Sequence, residues 1–212
     1  MHVETFVLGP LENNAYIVWE NGPSCVIIDA PMGIEGIDSF LDEHHLRPGA
    51  CLLTHGHFDH ITGLSHLRKQ WNLRVLIHAE DAESLVRPEV NGSAFFGSPL
   101  PPDQGVTDRF ADGEILDLAG CKIRIIHTPG HTAGGCCFLA DSILFSGDTL
   151  FKRSVGRTDF PGASHKKIVQ SIQEKLFSLP DATKVLPGHG AHSTIGEEKR
   201  RNPFVGLAAE RL

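Results

Sequence analysis

Residues 52–63 read LLTHGHFDHITG, and within six positions they place His55, His57, Asp59 and His60, four side chains able to ligate a metal. Three more stretches end the same way, an apolar strand-like run closed by Gly or Pro and then a His or Asp. CKIRIIHTPG leads to His131, SILFSG to Asp148 and TKVLPG to His189. One catalytic zinc takes about three protein ligands and keeps a position open for water. Five imidazoles and two carboxylates exceed that need, and suit two ions roughly 3.5–4 Å apart with a carboxylate bridging them. Such a pair lowers the pKa of water towards ~7 and polarises an oxygen under attack, which is hydrolytic chemistry.

For these residues to meet, the elements that precede them must end at one edge. Strand-type runs appear at HVETFVL, NAYIVWE, CVIID, ACLLTH, RVLIH, CKIRIIH, SILFS and TKVL, each closed by Gly, Pro, Asn or Asp. Between them lie apolar stripes at helical spacing: Ile34, Ile37, Phe40 and Leu41; Ile61, Leu64 and Leu67; Ile168, Ile172 and Leu176, the last starting after Ser164 as N-cap. Strands alternating with helices predict an α/β domain, and loops at the strand ends of such a sheet are where sites form. Residues 1–212 are expected to make one domain, since no repeat or linker interrupts them. The stretch 87–108, RPEVNGSAFFGSPLPPDQGVTD, is too rich in Pro and Gly to predict regular structure. It reads either as a surface excursion or as a flap carrying Phe95 and Phe96 over a pocket.

Other histidines read differently. His78 and His127 end strands and are expected to be packed or hydrogen-bonded; His2, His44, His45, His66, His165 and His192 receive no role. Asp59 has a second reading as a helix N-cap ahead of Ile61. A formal net charge of -7 argues against a nucleic-acid backbone as ligand. The five cysteines form no C-x-x-C pair and mostly sit in apolar runs, as buried thiols of a reducing compartment would. With no signal-peptide pattern and no apolar run near about 18 residues, a cytoplasmic protein without a membrane span is expected.

The motifs T-H-G-H-F-D-H, H-T-P-G-H-T, G-D-T and P-G-H, in that order, resemble those of the metallo-β-lactamase superfamily. That resemblance implies an αβ/βα four-layer sandwich, two mixed sheets face to face with helices outside. It also implies that His55, His57 and His131 hold one metal and Asp59, His60 and His189 a second, with Asp148 between them. GDTLFKRSVGRTDFPG and PGHGAHSTIGEEKRRNPF look most like the short, single-domain type II glyoxalases, hydroxyacylglutathione hydrolases. The function so implied is hydrolysis of a thioester such as S-D-lactoylglutathione by a metal-bridging hydroxide, with Asp59 and Asp148 catalytic. Two divalent ions are implied, zinc first, with iron and manganese also compatible with His/Asp ligation.

Arg157 stands where the glyoxalases similarly place a basic residue for the glutathione moiety, with Lys152 and Arg153 as weaker candidates. Two departures from the two-domain glyoxalases are visible: only 23 residues follow His189, and their tyrosine near the last ligand is replaced around Ala191. GRTDF and DHITG also look like the persulfide dioxygenase branch, where one iron would take His55, His131 and Asp148. A phosphodiester-cleaving nuclease and a non-catalytic, metal-stabilised binding module complete the alternatives. No oligomeric state is implied.

Overall fold

Why β2 (Asn13–Trp19) and β3 (Ser24–Ile28) read as unbroken apolar runs is plain from their two faces. Tyr16, Val18, Val26 and Ile28 point into one core, while Ala15, Ile17, Cys25 and Ile27 point into another. Successive side chains of a strand face opposite ways, so a strand covered on both sides must be apolar throughout. The computed structural model describes residues 1–97, 99–103, 105–106, 108–207 and 209.

The first sheet has the order β1 (His2–Leu8), β2, β3, β4 (Arg47–Leu52), β5 (Arg74–His78) and β6 (Asp108–Phe110). β1 to β3 pair antiparallel and β3 to β6 parallel. The second contains β7 (Ile115–Leu118), β8 (Cys121–His127), β9 (Cys136–Ala140), β10 (Ile143–Gly147), β13 (Lys184–Pro187) and β14 (Ser193–Thr194), in the order β14-β13-β10-β9-β8-β7. A small hairpin of β11 (Leu150–Phe151) and β12 (Ser154–Val155) follows β10.

Three cores separate four layers. Between the sheets, Tyr16, Val26 and Leu76 meet Ile123, Phe138 and Phe145. Outside the first sheet lie a 3-10 turn (Ile34–Ile37), α1 (Asp38–Glu43), α2 (Phe58–Ile61) and α3 (Leu64–Trp71), whose Ile34, Ile37, Leu41, Ile61, Leu64 and Leu67 cover Ile27 and Val75. Outside the second sheet, α5 (His165–Gln170) runs on through a π turn and a 3-10 turn; α6 (Ile195–Arg201) packs beside them. Ile168, Ile172 and Leu176 are all fully buried there, each contributing on the order of 2 kcal/mol of apolar transfer. Ser164 caps this segment, its Oγ accepting from the Lys167 N–H at 3.4 Å. The expected sandwich of two mixed sheets flanked by helices is therefore the fold.

Six strands escaped the sequence reading: β6, β7 and β9, and the two-residue β11, β12 and β14. β6 is only three residues long, β7 is a half-exposed edge, and β9 follows Gly134–Gly135 as a short Cys-rich run. Segment 87–108 is also more regular than expected. Pro88 opens a short helix, α4 (Pro88–Asn91), and a 3-10 turn follows at Ser93–Phe96. Proline's fixed φ suits the first helical position, so its presence there was a start signal rather than a breaker. Asn91 Nδ2 donates to the Ser84 carbonyl at 2.8 Å and pins the turn. Phe95 is 68% exposed and does not cover a pocket, while the side chain of Phe96, together with Ser98, Gln104 and Thr107, lies outside the described residues.

Candidate metal centre

Four strands deliver the seven residues. The turn after β4 holds His55 and His57, and α2 carries Asp59 and His60. His131 follows β8, Asp148 follows β10 directly, and His189 follows β13. Ligand atoms of His55, His57 and His131 lie within 4.8 Å of one another, and so do those of Asp59, His60 and His189; His55, His60 and Asp148 form a third such group linking the two. Asp148 reaches both sides, with Oδ1 3.4 Å from His60 Nε2 and Oδ2 3.6 Å from the Nε2 atoms of His131 and His189. All seven residues singled out in the sequence thus stand together.

Glycines make this approach feasible. Gly147 takes φ +48, and a Cβ there would meet Thr54 at 2.6 Å. At Gly188 a Cβ would strike Asp148 Oδ1 and lie 2.8 Å from His60 Cε1. The Gly of G-D-T and of P-G-H therefore has a steric reason, not only a conformational one.

Four of the five imidazoles are turned by a partner on the other nitrogen. His131 Nδ1 donates to the Arg157 carbonyl at 2.8 Å and His189 Nδ1 to the Leu11 carbonyl at 3.0 Å. His60 Nδ1 donates to Asp29 Oδ2 at 2.9 Å, and His55 Nδ1 to Thr54 Oγ1 at 3.1 Å; that hydroxyl in turn donates to Asp29 Oδ2 at 2.8 Å. Such partners fix the tautomer and leave the Nε2 lone pairs of these four rings aimed inward. His57 differs, bringing Nδ1 to 2.8 Å from His131 Nε2. Asp29 and Asn13 were not anticipated. Asp29 is buried and serves two ligands; Asn13 Nδ2 donates to Asp59 Oδ2 at 3.0 Å. Asp59 lies in the first turn of α2 and its carboxylate faces Asn13 and His189, so it does not act as the N-cap.

Among the described residues, five buried side-chain polar atoms lack a hydrogen-bond partner, and three of them are His55 Nε2, His60 Nε2 and Asp148 Oδ1. Buried polar atoms left unpaired are costly and rare. Their convergence, with tautomers set for ligation, fits a pair of divalent cations.

Electrostatics divide the donors. Burial and the surrounding imidazoles push His55 well below its ordinary value, and burial with His131 brings His57 down to about 3. For His60, burial acts downward but Asp59, Asp148 and Asp29 prevail and raise it well above normal. His189 is likewise raised, its hydrogen bond to Asp59 and the charge of Asp148 outweighing burial. Asp59 and Asp148 are held below the carboxylate range: burial opposes their ionisation, but His60 in both cases, with His189 and Asn13 at Asp59 and His131 at Asp148, overcomes it. Burial thus favours the neutral imidazole at His55 and His57, while the carboxylates favour the charged one at His60 and His189.

A cavity of about 380 Å³ opens onto these residues, walled by Leu11, Phe58, Phe151 and Phe160 and rimmed by Asn91 and Arg157. The Arg157 guanidinium is already engaged, donating to Asp159 at 3.0 and 2.8 Å and lying over the Phe160 ring at 4.6 Å. Lys152 sits in the exposed turn of the β11–β12 hairpin and is not among the residues lining the cavity, because the hairpin points that turn outward. The chain's one tyrosine, Tyr16, is buried and donates to the Pro187 carbonyl at 2.6 Å, so it offers no group to the cavity. His78 and His127 stack at 4.1 Å, and His127 Nε2 donates to the Ala133 carbonyl, matching their packed reading.

Fold and donor set together are those of a metal-binding superfamily: the family model of the metallo-beta-lactamase superfamily matches residues 8–189, and the chain belongs to that superfamily. The hydroxyacylglutathione hydrolase GloC of Haemophilus influenzae is 34% identical over 209 residues, spanning 97% of this chain and 98% of its own. Among solved structures, the BLEG-1 B3 metallo-beta-lactamase superposes with a TM-score of 0.92 at 34% identity, covering 96% of this chain and 99% of its own. TTHA1623 in a di-iron-bound form gives a TM-score of 0.84 at 36% identity, with 95% and 99% covered. Among the described residues no helix is long and apolar enough to cross a membrane.

Proposed function

We propose that the protein hydrolyses a thioester of the hydroxyacylglutathione type. The observation that carries this reading is the joined pair of donor clusters opening into a cavity with an apolar wall, in a chain similar to GloC. His55, His57 and His131 would hold one cation, Asp59, His60 and His189 the other, and Asp148 would reach both. Bound there, divalent cations lower the pKa of water and polarise a carbonyl oxygen. Zinc is our first assignment; the di-iron form of TTHA1623 makes iron the alternative to be separated by metal analysis.

The chain's own groups then do the rest. Leu11, Phe58, Phe151 and Phe160 exclude bulk water from the reacting carbonyl and strengthen the field around it. Asp59, anchored by Asn13 and His189, keeps an ionised carboxylate at the cavity floor, positioned as a ligand of the second cation. The departing thiol has an ordinary pKa near 8.5, so it leaves as thiolate with little need of an acid. Arg157 exchanges Asp159 for a substrate carboxylate, since both offer the planar oxygen pair its fork matches. Five buried, unpaired cysteines support a cytoplasmic setting.

A second group built from Asp59, His60 and His189 supports two ions over the single-iron dioxygenase reading. The test is a metal count on purified protein coupled to thiol release from S-D-lactoylglutathione. Two ions with thiol release are expected. One iron with oxygen uptake on glutathione persulfide would replace the proposal, and tightly held metal without turnover of any thioester would favour a binding module.

A further inference from the structure

Ligands of the first cluster come from different sheets, His55 and His57 after β4 and His131 after β8, so something must hold two loops in register. One backbone bond helps, from the Cys136 N–H to the Thr54 carbonyl at 2.8 Å. A second tie is Asp81, which follows β5, is 6% exposed and, among the described residues, belongs to none of the donor groups. Its Oδ2 accepts from the Gly56 N–H at 3.0 Å, midway between His55 and His57, and from Thr132 Oγ1 at 2.7 Å, next to His131. Its Oδ1 accepts from the Gly134 N–H at 2.7 Å. Among the described residues it makes no ion pair. An acceptor-only group is what three converging donors require, and burying it is tolerable only while all three bonds are made.

The surroundings are shaped for this approach. A Cβ on Gly134 would lie 2.7–2.8 Å from the backbone nitrogen and carboxylate of Asp81, and one on Gly56 would strike the Ser84 side chain. Any other residue at these two positions would push its loop off the carboxylate. The His131 loop is also closed on itself, by the Thr128 N–H to the Gly135 carbonyl at 2.7 Å and the Gly130 N–H to the Thr132 carbonyl at 2.9 Å. Pinning Thr132 and Gly134 therefore moves His131 as a unit.

We propose that Asp81 is a positioning residue for the first metal: it locks the two ligand loops together and sets the spacing of the His55–His57–His131 cluster, while the second cluster is independent of it. The inference rests on the two-cation reading. Asp81→Asn keeps the volume but turns a donor towards the Gly56 N–H, and Thr132→Val removes one bond. Thr132→Ser retains the hydroxyl.

The experiment is titration of metal-free protein with cobalt(II), read by equilibrium dialysis and the visible absorption of the bound ion, alongside Tm of the metal-free proteins. Expected for Asp81→Asn is a loss of affinity of about 10–100-fold, the range for outer partners of ligands, at one of the two ions with the other unchanged. Thr132→Val should show a smaller loss at the same ion, and Thr132→Ser a near-normal one. Wild-type affinity at both ions in Asp81→Asn overturns the inference alone. So does an equal loss at both that tracks a fall in metal-free Tm, which marks a merely structural role. A wild-type protein that takes up no cobalt overturns the two-cation reading itself, and the inference with it.

Discussion

Among the described residues two histidine clusters stand at strand ends of this sandwich, and one of them has its rings turned to a common point. At the centre, rings meet edge to face, with His57 and His131 at 90° and His60 and His189 at 80°, so that their lone pairs converge. His78 and His127 lie nearly parallel at 14°, and with Glu80 they also bring three donor atoms within 4.8 Å. Parallel rings point their nitrogens side by side rather than at a common point. His78 Nδ1 accepts from the Glu80 N–H at 3.3 Å and His127 Nε2 donates to the Ala133 carbonyl. Proximity of donors is thus insufficient; orientation by outer partners and a carboxylate between the rings make the difference.

Breaking the centre should have the largest effect. Asp148→Ala removes the one carboxylate that reaches both clusters, and we expect loss of both ions and of nearly all activity, exceeding the about 10–100-fold typical of an outer partner. Metal analysis and thiol release measure it, and full turnover with two ions retained would refute the bridging role. Asp29→Ala comes next: it frees His60 and, through Thr54, His55, so metal affinity should fall by about 10–100-fold by competition with a chelator. A variant binding metal as tightly as the parent would show that the rings hold their orientation without it.

The pH dependence follows from the charges. His60 and His189 hold protons at pH values where free imidazole has lost them, because their pKa is raised. An imidazolium does not ligate, so capture of a cation expels protons, and affinity should climb with pH until it passes those raised values. Isothermal titration in buffers of different ionisation heat counts the protons; absence of release would contradict the charge pattern. Arg157→Ala should raise KM for glutathione thioesters by several-fold with kcat little changed, as lost uniform binding does. An unchanged KM would leave Arg157 as no more than the partner of Asp159. Smallest of all, His78→Ala combined with His127→Ala should leave metal count intact and activity within about twofold, as substitutions away from such features do. Loss of an ion in that variant would erase the contrast between the two clusters.

The ligands were legible because imidazoles and carboxylates at the ends of apolar strands have few structural reasons to be there. Helical stripes such as Ile168, Ile172 and Leu176 were legible because burial leaves a period. What surrounds the ligands left no such mark. Asp29 looks like the polar close of CVIID, and Asp81 sits in AEDAES, an ordinary acidic stretch. The carbonyls of Leu11 and Arg157 hold ligands through the backbone, where side-chain identity carries no signal. β9 was hidden by composition, its Cys136 and Cys137 facing opposite cores behind two glycines.

All five sulfhydryls are interior, and burial drives Cys25 up to about 12, Cys137 up to about 11, and Cys51 and Cys136 well above the free value. The proposed thioester hydrolysis would release a thiol at every cycle, and the disulfide of that thiol exchanges with accessible thiolates. Five buried sulfhydryls present no exposed thiolate to such exchange.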